Sequence, residues 1–143
     1  MSQSLFVFLA FASVFLFGTV SCSAQTPEEK LSNFVKAYAA SGDKQDVEAL
    51  DGMTDAGFRV MFVSNGNLIN LGKEGWLENF RQKKFGGDSR KVSIQSVEII
   101  EGANATVIAH MAGEKAHFKS MLSLIKVGDE WKIVQEIPFV TFL

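Results

Sequence analysis

Residues 90–139 read RKVSIQSVEIIEGANATVIAHMAGEKAHFKSMLSLIKVGDEWKIVQEIPF. Four runs rich in Val, Ile, Leu and Phe, at 91–101, 105–112, 116–127 and 131–139, are divided by Gly102-Ala103-Asn104, Gly113-Glu114 and Gly128-Asp129-Glu130. Alternating apolar runs bounded by turn residues are strands. Connections this short cannot hold the crossover that parallel neighbours require, so the four strands form one antiparallel meander.

Working back from that sheet, the periodicity changes from two to 3.6. Thr26-Pro27-Glu28-Glu29 is a helix start, with a capping hydroxyl, Pro in the first turn and two carboxylates at the positive end of the dipole. Leu31, Phe34, Val35 and Tyr38 then fall on one stripe, and the helix ends near Ser41-Gly42. Asp43 is placed to cap a second, shorter helix carrying Val47 and Leu50, broken at Gly52. Residues 58–64 and 67–71 form a hairpin around Asn65-Gly66, the strongest two-residue turn signal. A third helix over 73–85 presents Trp76, Leu77 and Phe80 and stops at Gly86-Gly87-Asp88. Helices followed by a meander make an α+β domain with the helices packed on one sheet face.

The first 24 residues are different in kind: they contain no Asp, Glu, Lys or Arg. The apolar run 5–17 is short for a membrane span and leads into the small residues Ser21, Cys22, Ser23 and Ala24. The expectation is a signal peptide over 1–24, cleaved to leave one domain at 25–143 in a secreted or periplasmic protein, with no transmembrane segment in the mature chain. Thr19-Val20-Ser21-Cys22 also faintly matches a lipoprotein box, which would instead anchor the protein through a lipid on Cys22. Cys22 is the only cysteine, so a mature domain beginning at Gln25 has no disulfide, thiol nucleophile or Cys-based metal site. The net charge of −2 is spread without a long basic run, which argues against nucleic acid as a partner. The basic cluster Arg81-Gln82-Lys83-Lys84 falls at a helix C-terminus, where cations offset the dipole.

The order helix, short helix, hairpin, helix and long sheet resembles the nuclear transport factor 2-like superfamily. The likeness extends to Tyr38, Gly42-Asp43, Val47 and Leu50, then Thr54-Asp55-Ala56-Gly57-Phe58, then Gly72-Lys73-Glu74-Gly75-Trp76, and finally Gly128 to Val134. It implies a cone in which three N-terminal helices pack on a curved antiparallel sheet around a pocket, and in many members a sheet-to-sheet homodimer. It does not imply an activity, because one scaffold hosts many functions.

The ligand-binding residues expected of that pocket are Phe34, Tyr38, Phe58, Trp76, Trp131 and Gln135. Gln135 shares strand parity with Trp131, Ile133, Ile137 and Phe139 and is the polar member of that face. His110, one of two histidines, is the candidate general acid/base, and strand pairing across Gly113-Glu114 could bring His117 near it. No histidine spacing supports a metal site, and no cofactor is indicated. Ketosteroid isomerase-like members carry a basic carboxylate on the first hairpin, whereas here that segment reads Phe58-Arg59-Val60-Met61-Phe62-Val63. Three functions follow. The first is a non-catalytic binding module for a small apolar or amphipathic molecule. The others are a polyketide cyclase or dehydratase-like enzyme using His110 as general acid/base, and a structural homodimer module whose pocket is filled by its own side chains.

Overall fold

The computed structural model describes residues 24–143. The expected signal peptide and Cys22 therefore lie outside the described residues, apart from Ala24. The elements run α1 (Pro27–Asp43), α2 (Val47–Met53), β1 (Thr54–Ser64), β2 (Asn67–Gly72), α3 (Lys73–Arg81), β3 (Lys91–Ile100), β4 (Asn104–Ala112), β5 (Ala116–Val127) and β6 (Glu130–Phe142). α1 starts where its cap chemistry places it. The Thr26 hydroxyl accepts the Glu29 N–H and the Glu29 carboxylate accepts the Thr26 N–H, a reciprocal capping box.

Two helix boundaries depart from the sequence expectation. α2 is capped by Asp46, whose carboxylate accepts the Ala49 N–H, and not by Asp43. Asp43 is occupied elsewhere, paired with Arg90 at the start of β3. α3 ends at Arg81, four residues before Phe85. Lys83 takes a positive φ there, and Phe85 turns back toward the core.

The six strands form one sheet in the order β2-β1-β6-β5-β4-β3. The meander β3 to β6 is antiparallel, as expected, but β1 runs parallel to β6. The sheet is therefore mixed and not wholly antiparallel. The connection from β1 to β6 passes through most of the chain, so nothing obliges the two strands to run in opposite directions.

One irregularity decides the chemistry of the interior. Leu124 pairs with Ile133, yet the preceding residue Ser123 pairs with Gln135, leaving Val134 as the extra residue of a bulge. A bulge reverses inside and outside along the rest of its strand. Ile133 faces the core, and beyond the bulge it is Glu136, Pro138 and Val140 that face inward, with Gln135 turned to the outer face beside Ser123 and Arg59.

Candidate functional site

An apolar cavity of about 400 Å³ lies between the helices and the inner face of the sheet. Its walls come from Leu50, Val60, Trp76, Phe80, Met111 and Phe118, joined toward the open side by Phe85 and Phe142. The aromatic wall is continuous. Tyr38 stacks on Trp76 with centroids 6.0 Å apart, Trp76 meets Phe80 edge-on at 5.0 Å, and Phe80 meets Phe85 edge-on at 5.7 Å. Phe58 lies behind this wall, its ring 4.6 Å from Trp76, and fixes the indole without lining the cavity.

A polar cluster sits at the buried end. The Tyr38 hydroxyl donates to Glu136 Oε2 at 2.7 Å, and the Ser120 hydroxyl donates to Glu136 Oε1 at 2.7 Å. Tyr38 is 4% exposed, Ser120 0% and Glu136 9%. One carboxylate thus holds two hydroxyls taken from α1 and β5. Burial, then the Glu136 charge and its hydrogen bond, hold the Tyr38 phenol well above its ordinary pKa, against a smaller opposing effect of Arg90. The phenol therefore remains a donor across the physiological range.

Arg90 braces the other side. Its Nε donates to Asp43 Oδ1 at 2.5 Å, its Nη2 donates to the Ala39 carbonyl at 3.1 Å, and its guanidinium lies 5.1 Å from the Phe118 ring centroid. These contacts tie the end of α1 to the sheet beside the cavity. A second hollow, beside Gly72 and Lys73 at the start of α3, lies open at the surface. Its cation, Lys73, is already committed to the Asp51 carboxylate at 2.8 Å and to the carbonyls of Asp51 and Thr54. That carboxylate is held below its ordinary pKa by the Lys73 hydrogen bond and charge.

Of the six residues expected to bind ligand, the structure brings Tyr38 and Trp76 to the cavity. Phe34 packs against the core one turn before Tyr38, and Trp131 packs against it near the β5–β6 hairpin; neither lines the cavity. Gln135 points the other way because of the bulge at Val134.

His110 is corrected too. It alternates with Ala109 and Met111, which are buried, so its ring is exposed on the outer face, where Nε2 lies 2.9 Å from Gln95 Oε1. It has no access to the cavity and cannot be its acid or base. His117 shares that outer face, diagonal to His110 across the β4–β5 ladder, and among the described residues no cluster of metal-ligating side chains is present.

Sequence reasoning missed Glu136 and Ser120. Ser120 was detectable, since it keeps strict alternation with Leu122 and Leu124. Glu136 was hidden by the bulge.

Residues 26–137 match the family model described as "Putative lumazine-binding". The chain belongs to this lumazine-binding family. No curated protein matches its sequence. Among solved structures it is similar to a nuclear transport factor 2-like protein of unknown function from Silicibacter pomeroyi, at 16% identity and TM-score 0.69, covering 78% of this chain and 92% of that one. It is similar to another such protein from Shewanella baltica, at 18% identity and TM-score 0.69, covering 79% and 94%. A ketosteroid isomerase-like protein from Erwinia carotovora atroseptica matches at 14% identity and TM-score 0.62, covering 74% and 89%. At these identities the structural likeness establishes the nuclear transport factor 2-like fold of this member of the lumazine-binding family and nothing about its chemistry.

Proposed function

We propose that this protein binds a small, flat, largely apolar molecule whose polar head donates hydrogen bonds to Glu136. The observation that carries this reading is the Tyr38–Glu136–Ser120 cluster at the buried end of an apolar, aromatic-walled cavity. A buried carboxylate is costly unless it is satisfied. Two neutral hydroxyls hold it in place while each oxygen retains accepting capacity toward a ligand N–H or O–H. Lumazine, a fused flat bicycle with imide N–H groups, shares the flat ring and the donors though it is more polar, and the family description points to flat heterocycles of this kind.

Binding is favoured over catalysis because both carboxylate oxygens already hold hydroxyl donors, so proton abstraction by Glu136 would have to displace one of them. The structural-module reading is disfavoured by the cavity itself, which is larger than a domain filled by its own side chains needs. On the leading reading, residues 1–24 are a cleaved signal peptide and the protein acts in a secreted or periplasmic setting. A lipid on Cys22 is the alternative, and the mass of the isolated N-terminal peptide separates the two.

Trp76 reports on the cavity directly. In a Trp131→Phe background, lumazine is expected to quench Trp76 emission saturably, and Glu136→Gln to weaken the affinity by about tenfold or more, as loss of a hydrogen bond to a charged group implies. Absence of quenching, together with no small molecule retained in native mass spectra of protein from its own source, would sink the reading.

A further inference from the structure

We infer that the ligand is amphipathic, with an anionic group at the end opposite the head held by Glu136, and that Lys84 and Lys115 receive that anion at the cavity mouth. The inference rests on the binding reading above and adds the charge and orientation of the ligand. The exposed members of the cavity lining, Lys84, Gly86, Lys115 and Phe142, mark where it opens. The charged lining residues there are Lys84, Asp88, Arg90 and Lys115.

Two of these four are engaged. Arg90 is neutralised by Asp43, and Asp88 accepts the Lys115 backbone N–H at 3.2 Å while keeping its charge, so the two lysines outnumber the one free carboxylate of the lining there. Lys84 and Lys115 have no ion pair and no side-chain hydrogen bond among the described residues, and both are exposed where they line the mouth. Lys84 follows α3 and Lys115 lies on the β4–β5 turn, so the pair approaches the opening from two separate elements.

Strand register places Lys91 and Lys119 on the outer face of this end of the sheet, and Glu114 precedes Lys115 in the β4–β5 turn, so the cations of the lining itself are Lys84, Lys115 and the paired Arg90. An anionic group is favoured beside Lys84 and Lys115 at the mouth, whereas one that entered head-first would meet the Glu136 carboxylate. Electrostatics thus fixes which end of the ligand goes in.

A matched pair of probes isolates the anionic group. 8-Anilinonaphthalene-1-sulfonate and N-phenyl-1-naphthylamine share one ring system and differ by the sulfonate. Titrated into the full protein at neutral pH, both are expected to quench Trp76 in the Trp131→Phe background. Lys84→Gln combined with Lys115→Gln should weaken the sulfonate probe roughly tenfold and leave the neutral probe within about twofold, since two partly solvated cations each contribute modestly. Added salt should reproduce the loss for the sulfonate probe alone, and Lys84→Arg with Lys115→Arg should restore it. Equal affinity of the sulfonate probe for wild type and the Gln double variant, with the neutral probe still bound, overturns the anionic end while leaving the binding reading intact. Failure of both probes to quench Trp76 overturns both.

Discussion

Tyr38 is the only tyrosine in the chain, which makes its proton observable. Its folded pKa is raised well above 10.0, first by burial and then by Glu136. A group whose folded pKa lies above its unfolded value contributes stability that is complete below the unfolded pKa and lost as pH rises through the folded one. The cost should therefore appear only above pH 10.0, at about 1.4 kcal/mol per pH unit. Absorbance at 295 nm reports phenolate from this one residue, and its rise should coincide with loss of far-ultraviolet circular dichroism. A phenol that titrates near pH 10.0 in the still-folded protein would contradict its burial against Glu136. Tyr38→Phe should remove this alkaline sensitivity, at a cost of about 1–3 kcal/mol at neutral pH because Glu136 loses one of its two donors.

The strands β3 to β6 and the helix α1 were legible because each rests on local chemistry: alternation, turn glycines, and the Thr26–Glu29 capping box. The bulge at Val134 carries no such local signal. It arises from how β5 and β6 accommodate each other, and with it went the correct face of Gln135 and the whole of the Glu136 site. Long-range ties were hidden for the same reason. Asp43 looks like a helix cap in sequence, yet its carboxylate accepts from both the backbone N–H and Nε of Arg90, 47 residues away. Asp43→Ala should therefore cost roughly 2–4 kcal/mol, more than the loss of a cap, because Arg90 would be left largely buried without its partner. Urea denaturation measures it, and a loss below about 1 kcal/mol would show the pair to be dispensable. Gly86 closes the same corner at φ 77°, where an added Cβ would collide with the Gly42 carbonyl. Gly86→Ala should cost at least about 2 kcal/mol from strain and clash together.

At the scale of the molecule, the inner face of the sheet is accounted for by helices and cavity, and the outer face is not. Register aligns Ile108, Met121 and Ile137 in one row across β4, β5 and β6, with Phe139 beside it at 73% exposure. An apolar row of this kind on a sheet face is a surface that water disfavours and that a second copy can cover by self-complementary contact. Charge does not oppose such pairing, because His110, Lys119 and Glu98 interrupt the face with both signs. The expected state is a homodimer through this face, with the cavity mouths left free because they open at the edge near Phe142 and not on the outer surface. Sedimentation equilibrium should give twice the protomer mass at micromolar concentration. Met121→Glu, at the centre of the row, should give the protomer mass while N-phenyl-1-naphthylamine binding stays within about twofold, since the substituted side chain and the cavity lie on opposite faces of β5. A wild-type chain that sediments as a monomer would leave the row as tolerated surface. A Met121→Glu dimer would move the interface elsewhere, most simply to the exposed edge strand β2, where Leu68 stands 68% exposed.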